Sequence, residues 1–112
     1  MKDKYGDVAV TKLDGHVVQC EIQRPPNNFF DLALIKDLSE CFEDIDEEKD
    51  IRAIVLCAEG KHFCAGHDLS ESIVAAKDPA SKRKANIAAS EMIMSINRCP
   101  KPVIARIQGV AT

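Results

Sequence analysis

The stretch IRAIVLCAEGKHFCAGHDLSE, residues 51–71, decides how this chain folds. Residues 52–58 (RAIVLCA) form a continuous apolar run too short for a helix, which suits a strand buried on both faces, as in a parallel sheet. Residues 60–71 (GKHFCAGHDLSE) follow at once and bring together His62, Cys64, His67 and Asp68. Three chemistries compete for such a loop. A zinc site draws its four ligands from two separated pairs, whereas here every candidate crowds into one short segment and His16, the remaining histidine, sits at a turn. A nucleophilic Cys64 needs a base or a positive environment, which His62 or His67 could supply, but a small side chain packed inward after a strand is the plainer reading. The third possibility is work by the backbone. Ala65 and Gly66 remove bulk where the chain leaves the strand, and glycine permits angles that turn N–H groups toward a ligand. A helix starting near Asp68 would add partial positive charge there, suited to an anionic oxygen. A simple turn that needs glycine is the structural alternative.

Before this stretch, residues 8–22 alternate around Asp14 and Gly15, the signal of a hairpin with glycine in a positive-φ turn. Residues 23–28 (QRPPNN) break regular structure, because Pro25 and Pro26 lack ladder donors. From about Phe30 the period changes. Ile35, Leu38, Phe42 and Ile45 mark one face of a helix that Asn28 or Asp31 would cap. Its acidic end, residues 43–50, opposes the dipole and predicts a frayed last turn.

After it, residues 70–77 suggest a short helix, and Asp78 with Pro79 marks the start of a longer one running to about Arg98. Ala85, Ala88, Ala89, Met92, Ile93 and Ile96 are its expected inward face. Residues 103–109 (VIARIQG) read as another short buried strand, parallel to the one at 52–58. The fold class is therefore α/β. An apolar strand at the end of the chain, with no crossover helix to cover it, suggests the N-terminal piece of a longer protein or half of a split one.

Composition narrows the function. With 112 residues and a 46% apolar share, one packed domain is expected. Aromatics are 4% with no Trp, and the net charge is −3 with no basic patch beyond residues 81–84, so nucleic acid is not the expected partner. Five cysteines without C-x-x-C spacing read as reduced thiols. The N-terminus shows no signal peptide and no run reaches membrane-spanning length, which makes the cytoplasm the expected location.

Three segments in order resemble the enoyl-CoA hydratase/isomerase (crotonase) superfamily. Residues 24–38 (RPPNNFFDLALIKDL) resemble its entry into the first long helix. Residues 51–69 resemble its strand followed by F-[SCA]-A-G-x-D-[LI], and residues 99–111 (CPKPVIARIQGVA) its K-P-V-I-A-x-[IV]-x-G strand. The resemblance implies a spiral of β-β-α units, incomplete here: residues 1–112 would be the N-terminal part of one crotonase-like domain, lacking its C-terminal helices. It implies an acyl-CoA substrate of fatty-acid metabolism, no permanently bound cofactor beyond the coenzyme A of the substrate, no metal, no membrane, and trimers or hexamers of the full-length protein.

The implied site follows residue by residue. The backbone N–H of His67 would be one oxyanion donor. Ala65, Gly66, Asp68 and Leu69 would line the coenzyme A site, with Asp68 accepting N–H bonds at a helix start. Arg24, Pro26 and Asn27 would border the same channel. Glu71 reads as a solvated first-turn acid rather than a general base. The second oxyanion glycine and the acid/base glutamates of hydratases would lie beyond Thr112, so the piece alone is expected to be inactive. Isomerisation, thioester hydrolysis and decarboxylation reuse the same hole. A non-catalytic acyl-CoA-binding or assembly module is the rival reading, and a small metalloprotein built on His62, Cys64 and His67 is a third.

Overall fold

The structure, a computed structural model, describes residues 1–66 and 78–111. The expected hairpin is present as β2 (Val8–Leu13) and β3 (Val17–Ile22), paired antiparallel with Leu13 opposite Val17. Its turn holds Asp14, Gly15 and His16, one residue longer than the tightest primed turn, and both Gly15 (φ 78°) and His16 (φ 65°) are left-handed. A further strand, β1 (Lys4–Tyr5), adds antiparallel to β2. At two residues it leaves no periodic signal in the sequence.

Helix α1 (Leu32–Asp46) starts on Asp31, whose carboxylate accepts the Leu34 N–H at 2.9 Å. Of the two predicted caps, Asp31 is the one used. Leu34, Ile35, Leu38, Cys41, Phe42 and Ile45 are all buried, as the three-four spacing requires. The C-terminal carbonyls have a distant cation: Lys101 Nζ donates to the carbonyls of Ile45 and of Glu48. The acidic end therefore has a positive partner that local sequence did not show.

Strand β4 (Ala53–Ala58) follows, then α2 (Pro79–Arg98) and β5 (Val103–Ala105). Asp78 caps α2 through the Ala80 N–H at 3.1 Å, with Pro79 in the first turn. The sheet order is β1-β2-β3-β4-β5, and β3, β4 and β5 run parallel through helical crossovers.

Register explains the core. Val8 faces Ile22, Val10 faces Cys20, and on the next seam Val18 faces Ile54 and Ile22 faces Ala58. These residues share one pleat face and pack with Leu34, Leu38, Cys41, Phe42 and Ile45 of α1. Fully burying each large side chain of that set contributes about 1.5–3 kcal/mol. Ala88 is buried and Met92 and Ile96 are partly buried, but Ile93, expected inward, is 53% exposed. The side chain of Ala85 and the expected helix at 70–77 lie outside the described residues.

The strand expected over 103–109 is shorter. Ladder geometry stops at Ala105, and Ile104 (59% exposed) and Ile107 (56%) face outward. Ile104 pairs with Val55 on the pleat face opposite α1, where Val55 is only half-buried. The two-faced burial expected of β4 holds for Cys57 but not along the whole strand.

All five cysteines are thiols. Cys20 and Cys41 place their sulfurs 3.6 Å apart in the core, where the sulfur-sulfur hydrogen bond and burial push the Cys41 thiol far above its ordinary pKa. Such thiols are poor nucleophiles.

Candidate functional site

Three parallel strands put three loops at one end of the sheet. Residues 23–30 follow β3, residues 59–66 follow β4 and residues 106–111 follow β5, and ligands of parallel sheets bind at such carboxyl ends. The middle loop, which carries the motif, is hydrogen-bonded to both neighbours. Toward the first, His62 N–H donates to Pro26 O (3.1 Å), Ala65 N–H to Asn27 O (2.9 Å), and Phe30 N–H to Gly66 O (2.9 Å). Toward the third, Phe63 N–H donates to Gln108 O (2.8 Å) and Cys64 N–H to Val110 O (3.0 Å).

Side chains close the frame. Gln108 Nε2 donates to the carbonyls of Ala58 (2.6 Å) and Gly60 (3.1 Å). Val110 N–H donates to His62 Nδ1 at 3.0 Å, so that nitrogen is an acceptor and the ring proton belongs on Nε2. Asn28, completely buried, donates to the carbonyls of Glu59 and His62. Gly60 (φ 95°) leaves no room for a side chain, since a Cβ there would come within 2.7 Å of Pro25 Cβ.

The predicted residues fall into two groups. Arg24, Pro26, Asn27, Ala65 and Gly66 gather around this loop cluster. Gly66 has φ 118°, the glycine-favouring backbone that the reading of a backbone loop needs. Ala65 has committed its N–H to Asn27, which leaves its carbonyl as the polar group it can offer. His67, Asp68, Leu69 and Glu71 lie outside the described residues.

Arg24 turns out to be clasped. Its Nε donates to Asp7 Oδ2 at 2.7 Å and its Nη1 lies 2.8 Å from Asp31 Oδ1. Burial works against the charge, but the two carboxylates outweigh it and hold the guanidinium above its ordinary pKa. The residue thereby joins the β1–β2 turn to the start of α1.

Cys64 packs inward, 6% exposed, with its sulfur 3.9 Å from Gly66 O. Among the described residues no three His, Cys, Asp or Glu side chains converge as metal ligands would. A groove of about 1000 Å³ between α1 and α2 is lined by Phe42, Ile87, Met94, Lys82, Arg83 and Glu91 among others, and none of its residues belongs to the loop cluster. The motif and its hydrogen bonds converge at the strand ends, away from this groove.

Sequence reasoning missed two residues of the site. On sequence Asn28 signals only a possible helix cap, and Gln108 only part of a strand. The positive φ of Asn28 (52°) is typical of asparagine next to a turn, but the two carbonyls its side chain donates to lie more than thirty residues away in sequence.

Residues 12–112 match the family Enoyl-CoA hydratase/isomerase. The chain belongs to this family. Among relatives of the hydratase/isomerase chain, the mouse mitochondrial Delta(3,5)-Delta(2,4)-dienoyl-CoA isomerase is 33% identical over 94% of this chain and 35% of its own length. Enoyl-CoA hydratase AKT6-1 of Alternaria alternata is 34% identical over 84% of this chain and 30% of its own. An enoyl-CoA hydratase structure from Bacillus anthracis superposes with TM-score 0.84 at 33% identity, covering 94% of this chain and 41% of that one. The structure of Pseudomonas aeruginosa DspI superposes with TM-score 0.87 at 29% identity, covering 99% and 41%. The fold is thus an incomplete α/β crotonase-like fold, and the chain spans about a third of the length of these curated relatives. No described helix is long and apolar enough to cross a membrane.

Proposed function

We propose that this hydratase/isomerase-family chain contributes half of an oxyanion hole to an enzyme acting on an acyl-CoA thioester. The observation that supports it is the loop at the end of β4, where Ala65 and left-handed Gly66 are bonded to Asn27 and Phe30 on one side while Phe63 and Cys64, just before them, are bonded to Gln108 and Val110 on the other. In this reading the backbone N–H of His67 polarises the thioester carbonyl and stabilises the enolate that forms. Charge that develops on an oxygen is best met by donors fixed before the reaction, and loss of one such donor typically costs about 10²–10³ in rate. The carbonyl of Ala65 accepts from the adenine of coenzyme A, and Asp68 and Leu69 continue the same wall. Pro26 and Asn27 border the channel. Arg24 acts on it indirectly, since its guanidinium is bound to Asp7 and Asp31.

The test is turnover of crotonyl-CoA by the full-length protein, with coenzyme A binding measured alongside. The expected result is turnover, and binding without turnover would favour the non-catalytic module. His67→Ala keeps the amide, so its kcat should stay within about tenfold of the parent, whereas a loss of about a thousandfold would make the imidazole the chemical group.

A further inference from the structure

Asn28 uses its side chain on three backbone groups in two segments. Its Oδ1 accepts the Arg24 N–H at 2.8 Å, and its Nδ2 donates to Glu59 O at 2.7 Å and to His62 O at 2.6 Å. Its own N–H donates to Arg24 O at 2.9 Å. A primary amide has two donor hydrogens in one plane, so two donations fix both the separation and the orientation of the carbonyls that receive them. Those carbonyls flank the bend at Gly60 and Lys61, immediately before the segment bearing Ala65 and Gly66. The oxygen of the same amide anchors the bend to residues 24–28, whose carbonyls at Pro26 and Asn27 then receive the N–H groups of His62 and Ala65.

The residue type is restricted. Aspartate would set a second oxygen against two carbonyl oxygens, and serine offers one donor where two are used. The left-handed backbone, φ 52°, further favours asparagine or glycine.

We propose that Asn28 is a positioning residue, which through the carbonyls of Glu59 and His62 sets the placement of the loop bearing Ala65 and Gly66. What the loop binds rests on the acyl-CoA reading, but the hold on the loop does not.

The experiment compares Asn28→Asp, Asn28→Ser and Asn28→Gly in the full-length protein with Phe42→Leu, a core change in α1. Amide hydrogen exchange at His62, Ala65 and Phe30 is read together with kcat and KM for crotonyl-CoA. In the folded Asn28 variants these amides should exchange about tenfold faster or more, and kcat should fall about a hundredfold with KM little changed, because a loop displaced by a fraction of an ångström loses alignment before it loses binding. Phe42→Leu should leave kcat and the loop amides at parental values. Parental exchange and kcat in Asn28→Asp would overturn the proposal. So would failure of all three variants to fold, which would make Asn28 a folding residue only. If the parent protein proves unable to bind or turn over crotonyl-CoA, the acyl-CoA reading fails, and the exchange rates alone decide whether Asn28 holds the loop.

Discussion

Gly109 and Gly15 are both left-handed, with φ 60° and 78°, yet a methyl group would meet different surroundings at each. At Gly15 nothing lies within 4 Å, so Gly15→Ala should cost only the left-handed penalty, about 1 kcal/mol. At Gly109 a Cβ would sit 2.5 Å from His62 Nδ1 and against the Lys61 carbonyl. Gly109→Ala should therefore cost about 3 kcal/mol or more and loosen the bond between Val110 and His62. Chemical denaturation of the two variants checks the difference, and equal losses would contradict it. A second residue-scale expectation concerns Tyr5, the single tyrosine of the chain. Burial, and then its hydrogen bond to Asp44, push its pKa up to about 12. An unfolded tyrosine releases its proton near pH 10. The contribution is therefore complete below about pH 10 and disappears as pH rises to about 12, a loss of roughly 2–3 kcal/mol. Ultraviolet titration of the folded protein should place tyrosinate formation near pH 12, and Tyr5→Phe should flatten the alkaline fall in stability. A midpoint near 10 would count against the buried hydrogen bond.

At the scale of elements, the legible parts were those whose signal is local. Ile35, Leu38, Phe42 and Ile45 announced α1 by spacing alone, and Asp78 with Pro79 announced α2 by capping chemistry. The Asp14 and Gly15 turn announced the hairpin, because only a left-handed backbone closes it. The illegible parts depend on partners far along the chain. On sequence Lys101 is only a letter of a motif, whereas it binds carbonyls at and just past the end of α1, more than fifty residues earlier. Asn28 belongs to the same class, and so does the early end of β5, where Gly109 and the crossing to residues 62–64 redirect a run that reads as strand throughout. The motif at 62–66 was legible as a glycine-dependent bend, because a turn at a strand exit calls for the positive φ that Gly66 adopts. For Lys101→Met we expect a loss of about 1–2 kcal/mol and faster amide exchange in the last turn of α1 than in its first. Unchanged exchange there would show that the carbonyls are served equally well by water.

At the scale of the molecule, α1 lies on one face of the sheet and α2 packs against α1, and apolar side chains remain outside that core. Ile87, Ile93 and Met94 stand out on α2, and Ile104, Ile107 and Val110 on and after β5. Apolar side chains beside a strand edge promote association between chains. The 112-residue chain on its own should accordingly self-associate as its concentration rises, and Ile104→Lys combined with Ile107→Lys should suppress this. Sedimentation velocity checks it, and a monomer at every concentration would be the contrary result.

The bonds from Phe63 and Cys64 to Gln108 and Val110 have a consequence in time. A ribosome releases residues 59–66 well before residues 108–110, and chains begin to fold from the N-terminus as they emerge. In the nascent polypeptide the amides of Phe63 and Cys64 must wait for carbonyls not yet synthesised. The hairpin and α1 can assemble in the meantime, but the loop cluster at the strand ends is finished only when residues 108–110 have emerged. A transcript interrupted just ahead of codon 106 would yield most of the sheet and a corner that never sets.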